Sequence, residues 1–170
     1  MAPARGAGLV YAGGWLSWPG GRARAACGRH GVVADKCEGD GASPAGIFPL
    51  VRAYYRADRI APPACGLAVT ALRPQDGWVD DPADPRYNKY VTLPYPARHE
   101  ALWRDDGLYD LVVVVGYNTD PAVPGRGSAI FLHVAAPDFA PTAGCIAIAR
   151  DALSRLMALL GPGSTITIRP

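Results

Sequence analysis

The stretch that decides the fold reads Gly127-Ser128-Ala129-Ile130-Phe131-Leu132-His133, and it is followed by Pro141-Thr142-Ala143-Gly144-Cys145-Ile146-Ala147-Ile148. The continuous apolar run from Ala129 to Val134 predicts a buried strand. Cys145 follows twelve residues after His133 and directly after a glycine, and we expect it to lie just before a helix. A strand-end histidine and a glycine-preceded cysteine are therefore the first residues to consider for chemistry.

These two residues form a candidate pair for nucleophilic catalysis. A thiol attacks a carbonyl as its thiolate, and a neighbouring imidazole can take the proton. Gly144 permits a tight turn that would aim the N–H groups of Gly144 and Cys145 at a developing oxyanion. A helix beginning near Arg150 would add a weak positive potential. Spacing alone leaves a structural role for Cys145 equally open, and a histidine such as His133 is by itself more often a hydrogen-bonded core residue than a catalyst.

The rest of the chain predicts a mainly β fold with one or two short helices. Leu111–Val115 has the continuous apolar pattern of a central strand, and Thr165–Ile168 alternates as a strand with one buried face does. Further short strands are predicted at Leu9–Tyr11, Val32–Ala34, Ile47–Val51 and Leu67–Val69. Helices are predicted over Ala97–Asp105, after Pro96, and over Arg150–Leu160, where apolar residues recur at helical spacing.

Long irregular stretches separate these elements, at Glu38–Pro44, Arg73–Asn88 and Gly116–Ser128. Such loops inside a compact domain usually serve function. Neither a linker nor a repeat interrupts the chain, so we predict one domain over residues 1–170.

Composition excludes several classes of function. A net charge of +2, without a local basic cluster, gives no electrostatic case for nucleic acid. No run of 18 apolar residues is present, so we expect no membrane span. The first twenty residues contain several glycines and do not match an ordinary signal peptide, which leaves the export route open.

Three further cysteines, Cys27, Cys37 and Cys65, are expected to be small buried or half-buried residues. A Cys27–Cys37 disulfide is a minority alternative. A metal site built from Cys27, His30 and Cys37 is weaker still, because a fourth ligand and the usual ligand spacings are missing. We therefore predict no metal site at these cysteines.

Several ordered blocks resemble one known family. The motif Thr142-Ala143-Gly144-Cys145-Ile146, downstream of His133, is similar to the active-site signature of the YkuD-type L,D-transpeptidases. Other blocks that resemble the family are Gly28–Gly31, Lys36–Gly41, Ser43–Phe48, Gly77–Pro82, Tyr87-Asn88, Leu108–Asp110 and Gly116–Asn118. The resemblance spans roughly residues 25–170.

The resemblance implies a YkuD-like β-sandwich or barrel and acyl transfer on peptidoglycan stem peptides. Cys145 would form a thioester with a donor stem, with His133 as base and acid, and a diaminopimelate amine of an acceptor stem would resolve it. The resemblance also implies that neither a metal nor an organic cofactor is needed. Such a substrate requires a periplasmic location, and we expect a monomer. Hydrolysis of the thioester, giving a carboxypeptidase or endopeptidase, is an alternative, as is a non-catalytic wall-binding module. A functional Cys145 should have a depressed pKa.

One position departs from the family pattern. Many members carry an arginine two residues after the cysteine, and Ala147 stands there in this chain. A guanidinium contact to the substrate would then come from Arg126, Arg98 or Arg150. The compact chain resembles a branch associated with linking L-Ala at stem position 1 to diaminopimelate at position 3, so we favour that 1–3 linkage slightly over a 3–3 linkage.

Six side chains are predicted to contact substrate: Thr142, Ser128, Asn118, Tyr109, Trp78 and Arg126. For Ser128 and Asn118 a turn-forming role is an equal alternative, and for Tyr109 and Trp78 a core role is the more common one. Glu38 and Asp40 are expected to pair with Lys36. His30 and His99 are expected to be surface residues.

Overall fold

The computed structural model describes residues 6–170, so the first five residues of the predicted domain and of the glycine-rich N-terminal segment lie outside the described residues. The described chain forms fourteen strands and one helix. The strands of the first half are β1 (Gly8–Ala12), β2 (Trp15–Trp18), β3 (Gly21–Ala26), β4 (Val32–Val33), β5 (Ser43–Pro44), β6 (Gly46–Tyr55) and β7 (Val69–Ala71). Those of the second half, with the helix, are β8 (Asp76–Val79), β9 (Tyr90–Thr92), β10 (His99–Ala101), β11 (Leu111–Val115), β12 (Phe131–Val134), β13 (Ile146–Ile148), α1 (Arg150–Met157) and β14 (Thr165–Ile168).

The main sheet closes into a barrel. Its strands follow the order β11-β12-β13-β3-β2-β1-β14-β6-β7, and a further pairing between β11 and β6 closes the barrel, while β7 pairs only with β6. The long strand β6 makes closure possible, because Gly46–Pro49 pair with β14 while Leu50–Tyr55 pair with β11. Closure removes the exposed sheet edges that an open β-sheet would present.

Strand β11 lies between two apolar clusters. Its side chains alternate between them: Leu111, Val113 and Val115 enter the first cluster, whereas Val112 and Val114 enter the second. A strand buried on both faces has no polar face, which explains the continuous apolar run of the sequence.

The neighbouring strand β12 and the residues before it alternate in the same way. Ile130, Leu132 and Val134 enter the first cluster, whereas Ala129 and Phe131 enter the second. The helix α1 contributes only to the first cluster, through the buried side chains Leu153, Leu156 and Met157. The apolar stripe that predicted this helix is therefore core packing.

A smaller sheet covers the second cluster. It has the order β10-β8-β9 and carries Trp78, whose ring meets Phe131 edge to face at a centroid distance of 5.2 Å. The short parallel pair of β4 and β5 forms a third sheet. The face of β12 that carries Phe131 and His133 therefore points toward this smaller sheet, and the functional groups lie between the barrel and its cover.

The structure bears out the β-rich fold that the sequence predicts, and β11 and β14 have the predicted bounds. The predicted helix over Ala97–Asp105 is wrong. Residues His99–Ala101 instead form β10, because their backbone pairs with the edge of β8. The stretch Arg73–Asn88, expected to be irregular, contains β8, and α1 ends at Met157 although Leu160 is still buried.

No helix within residues 6–170 is long and apolar enough to cross a membrane. All four cysteines are free thiols, so the Cys27–Cys37 disulfide considered above does not form. Cys37 is exposed, and Cys27 and Cys65 are half-buried.

Candidate active site

Parallel pairing of β12 and β13 brings the histidine and the cysteine together. Leu132 lies opposite Ile146 and His133 opposite Ala147, so Cys145 lies one step earlier, beside Phe131. Because side chains alternate along a strand, Phe131, His133, Cys145 and Ala147 share one face. The expectation that Cys145 directly precedes a helix is wrong: β13 follows it, and α1 begins only at Arg150.

A cavity of about 560 Å³ opens on this face. Both His133 and Cys145 line it, and so do four other residues that the sequence singled out: Gly144, Thr142, Ser128 and Tyr109. Cys145 and His133 are both buried, with 8% and 5% of their surfaces exposed. A ligand in this partly open cavity would therefore reach both the thiol and the imidazole.

Two backbone groups hold the Cys145 thiol. Its Sγ accepts a hydrogen bond from the Phe131 N–H at 3.3 Å and donates one to the Ala129 carbonyl, also at 3.3 Å. Ala129 has a φ of +52°, a left-handed conformation that is uncommon for alanine. The thiol is thus hydrogen-bonded to the carbonyl of a residue whose backbone adopts an uncommon conformation.

Asn88 maintains that conformation. Its Oδ1 accepts hydrogen bonds from the Ala129 N–H at 3.0 Å and from the Trp78 indole at 2.9 Å. Its Nδ2 donates to the carbonyls of Tyr117 and Asn118. The buried amide uses both of its ends, so it fixes the loop before β12 relative to the smaller sheet.

His133 is held as a neutral imidazole with a defined tautomer. Its Nδ1 lies 2.8 Å from the Val134 carbonyl, which can only accept, so Nδ1 carries the proton and Nε2 has a free lone pair. Burial lowers the pKa of His133 to about 4. The Tyr109 ring packs edge to face on the imidazole at a centroid distance of 5.2 Å. The free Nε2 is the atom that can receive a proton.

The Cys145 side chain is a neutral thiol in the unliganded protein. Burial raises the pKa of Cys145 to about 12, and the negative charge of Glu100 adds to this effect. The depressed pKa expected from the sequence is therefore wrong for the unliganded protein, because desolvation outweighs the nearby positive charges of Lys36 and Arg104. Attack then requires transfer of the thiol proton during the reaction.

Thr142 and Gly144 shape the turn before the nucleophile. The Thr142 hydroxyl donates to the Cys145 carbonyl at 2.6 Å and accepts from the Gly144 N–H at 3.1 Å. Outside the strand ladders of the described chain, the Cys145 N–H makes no backbone hydrogen bond, so it is a candidate donor to an oxyanion. Gly144 has a φ of +150°, and a Cβ there would lie 2.8 Å from the Ala42 carbonyl oxygen. The turn thus requires glycine at this position.

Lys36 lies beside the same turn. It is buried, with Nζ 2.8 Å from Asp40 Oδ1, which bears out the structural Lys36–Asp40 pair expected from the sequence. A Cβ on Gly144 would lie 3.5 Å from this Nζ. Glu38, also expected to pair with Lys36, instead accepts hydrogen bonds from Tyr87 at 2.5 Å and from Ser128 at 2.8 Å.

A family model for the L,D-transpeptidase catalytic domain, YkuD, matches residues 9–168 of the 170-residue chain. The chain belongs to the YkuD family. No curated protein and no solved structure gave a match. The family model supports the general activity class, a peptidoglycan-acting L,D-transpeptidase domain, and it includes both Cys145 and His133.

Three residues predicted to contact substrate lie outside the cavity of this YkuD domain. Trp78 is buried beneath it and packs on Phe131. Asn118 and Arg126 line a separate cavity of about 390 Å³. The Asn118 side chain bonds the Val123 backbone and the Gly127 carbonyl, so it shapes its own loop. These positions were predicted from local sequence, which does not reveal which side of a loop faces the nucleophile.

None of the three arginines considered as replacements for the family arginine lines the active-site cavity. Arg98 pairs with Asp80, and Arg150 pairs with Asp110. Arg29 and Arg104, which the sequence analysis missed, line the active-site cavity of the YkuD domain. Arg29 is exposed and has no ion-pair partner within residues 6–170, and its N–H bonds the Thr142 carbonyl at 2.9 Å. No short sequence signal distinguished it.

The imidazoles of His30 and His99 do not share one environment. His30 is exposed, as expected, and its ring bonds the Asp40 carbonyl. His99 is partly buried and lines the cavity, which corrects its placement as a simple surface residue.

Within the described part of the YkuD domain, no three His, Cys, Asp or Glu side chains come together as a metal site.

The raised pKa of Cys145 predicts how its thiol reacts with iodoacetamide. Because the thiolate is the reactive form, we expect the alkylation rate of Cys145 to rise with pH through the neutral range and beyond pH 9, without a plateau. Exposed Cys37 serves as the internal control and should react faster at neutral pH. Peptide mass spectrometry measures both rates. A Cys145 rate that is already maximal below neutral pH would contradict the neutral thiol–imidazole pair.

Proposed function

We propose that this protein is a peptidoglycan L,D-transpeptidase that forms a thioester on Cys145. The observation that carries the proposal is the shared cavity, which is lined by both the buried Cys145 thiol and the neutral His133 imidazole in a chain of the YkuD family. The Gly144 turn and the Cys145 N–H add the geometry that acyl transfer needs.

The first half-reaction begins with a proton transfer from the Cys145 thiol to Nε2 of His133. The thiolate attacks the carbonyl of an L-residue in the donor stem, and the Cys145 N–H stabilises the oxyanion. The C–N bond of the donor then breaks, and the His133 imidazolium gives its proton to the leaving amine. A thioester on Cys145 and a neutral imidazole remain.

The second half-reaction runs in the opposite sense. The side-chain amine of a diaminopimelate on the acceptor stem attacks the thioester, and a C–N bond replaces the C–S bond. His133 carries the proton from the attacking nitrogen to the departing sulfur, which restores the thiol. Thiol, imidazole and backbone suffice for this sequence of steps, so the proposal includes no cofactor.

For the linkage we favour L-Ala at position 1 of the donor and diaminopimelate at position 3 of the acceptor, over a 3–3 linkage. Ala147 occupies the place of the usual family arginine and lines the cavity, so the donor meets a smaller, uncharged residue there. A different arginine must then bind the donor, and this change is consistent with a different donor residue.

Arg29 is our candidate for that role. Its guanidinium lies at the cavity wall without an ion-pair partner in the described chain, while its backbone is hydrogen-bonded to the turn that carries the nucleophile. A guanidinium binds a carboxylate through two parallel hydrogen bonds, which also orients the ligand. We propose that Arg29 binds a carboxylate of the donor stem.

The substrate also bears on location and assembly. Peptidoglycan stems are cross-linked outside the cytoplasm, so we propose that the protein acts in the periplasm, and as a monomer.

Hydrolysis is the alternative to transfer. A hydrolase would use the same thiol and imidazole, with water in place of the acceptor amine. The products distinguish the two reactions.

Incubation of the protein with disaccharide-tetrapeptides tests the proposed activity. We expect cross-linked dimers that have lost the donor stem beyond L-Ala, as judged by mass spectrometry, and no product with Cys145→Ala. Dimers that have lost a single D-Ala would replace the 1–3 linkage by a 3–3 linkage. Shortened monomers without dimers would contradict transfer and indicate a hydrolase, and an inactive wild-type protein would contradict the proposed function.

Arg29→Ala tests donor binding. We expect its donor KM for acylation to rise about tenfold or more, because a hydrogen bond to a charged group contributes about 1.5–3 kcal/mol. Arg126→Ala, in the other cavity, is the matched control and should leave the donor KM unchanged. With a donor whose carboxylates are converted to amides, wild type and Arg29→Ala should be alike. An equal loss with both donors would refute a carboxylate contact.

A further inference from the structure

Glu100 is an acidic side chain of the active-site cavity that the acylation step does not use. It lies in the middle of β10, opposite Trp78 of β8, and its side chain is partly buried in the cavity wall. The Tyr109 hydroxyl donates to its Oε1. Its Oε2 has no hydrogen-bond partner in residues 6–170, although the carboxylate faces the cavity that contains the nucleophile.

Glu100 lies close to the reacting groups. The Tyr109 ring that holds its Oε1 packs directly on the His133 imidazole. After burial, the charge of Glu100 is the strongest influence that raises the pKa of the Cys145 thiol. One tyrosine thus connects the carboxylate to the imidazole, and the carboxylate acts electrostatically on the thiol.

Apart from Arg29, which is proposed above to bind the donor, the other charged groups of the cavity already have partners within the described chain. Lys36 pairs with Asp40, Arg104 with Asp106, and Asp80 with Arg98. Glu38 accepts two hydrogen bonds on its Oε2. No lysine or arginine of the described chain forms an ion pair with Glu100. Arg104 acts on Glu100 through its charge but forms its ion pair with Asp106, so the partly desolvated carboxylate can still bind a cationic ligand group.

We propose that Glu100 binds the primary ammonium of the acceptor through Oε2 and takes its proton before the amine attacks the thioester. This inference rests on the proposed function and names the acceptor subsite of the same cavity. The acceptor amine of a stem peptide is an alkyl ammonium at neutral pH, with a pKa of about 10.4. It must lose one proton to become a nucleophile.

The proton balance assigns different roles to Glu100 and His133. The ammonium gives its first proton to the Glu100 carboxylate, which becomes a carboxylic acid and later releases that proton to solvent. The neutral amine forms the new C–N bond, the C–S bond breaks, and its second proton passes through His133 to the Cys145 sulfur. Burial raises the pKa of Glu100, which makes its carboxylate a better base for the first transfer.

Glu100→Gln separates this role from a structural one, because glutamine keeps the shape and the acceptor oxygen for Tyr109. The acyl-enzyme is formed first with a tetrapeptide donor. Separate samples of it are then mixed with diaminopimelate or with hydroxylamine, and the transfer rate to each acceptor is measured. Diaminopimelate is cationic at neutral pH, whereas hydroxylamine is largely uncharged. Asp80→Asn is the control variant, because Asp80 lines the same cavity but is paired with Arg98.

We expect Glu100→Gln to lower transfer to diaminopimelate, at subsaturating acceptor, by about tenfold or more, since a charge-assisted contact is lost. Acylation should not fall in Glu100→Gln, because loss of the Glu100 charge favours the Cys145 thiolate. Transfer to hydroxylamine should change by less than about twofold, as should all rates of Asp80→Asn. Raising the pH, which deprotonates the amine in solution, should bring Glu100→Gln closer to wild type.

Unchanged transfer to diaminopimelate in Glu100→Gln would overturn the assignment. An equal loss with both acceptors, without recovery at high pH, would also overturn it and leave Glu100 a structural role. If the wild-type protein forms no acyl-enzyme at all, the proposed function fails, and the acceptor subsite fails with it. If only the acceptor-subsite proposal is wrong, the wild-type protein still forms the acyl-enzyme and still transfers the acyl group to hydroxylamine.

Discussion

The parallel pairing of β12 with β13 is the constraint on which the rest of the site depends. It places Cys145 and His133 on one face although twelve residues separate them, and the closed barrel fixes both strands. The opposite face enters the barrel core, so neither strand can slip by one residue without moving the functional side chains into that core. Loops before both strands then refine the geometry: Asn88 holds Ala129, and Thr142 holds the Gly144 turn.

Burial explains the electrostatic state of the site. Two groups that would form an ion pair in a wetter site are both neutral here, because desolvation disfavours the thiolate and the imidazolium alike. In the proposed mechanism, charge separates only when substrate is bound, with the oxyanion facing the Cys145 N–H. A neutral resting thiol also protects the nucleophile from oxidation, which follows thiolate character and exposure.

Part of this could be predicted from the sequence. Continuous apolar runs identified β11 and the core of β12 because both faces of these strands are buried, and the glycine–cysteine motif identified a turn that lines the cavity. The helix predicted over Ala97–Asp105 failed because pairing with β8 outweighs local propensity. Glu100 and Arg29 were missed because only the fold brings them to the cavity, and the pKa of Cys145 depends on burial that no spacing reveals.

The central claim is that Cys145 carries the acyl group. The most direct test mixes the protein with a tetrapeptide donor in the absence of acceptor, quenches with acid, and maps the adduct by peptide mass spectrometry. The account predicts a donor-derived thioester on the peptide that contains Cys145, and none on the peptides of Cys27, Cys37 or Cys65. An adduct on another cysteine, or cross-linked product formed without any adduct on Cys145, would contradict it.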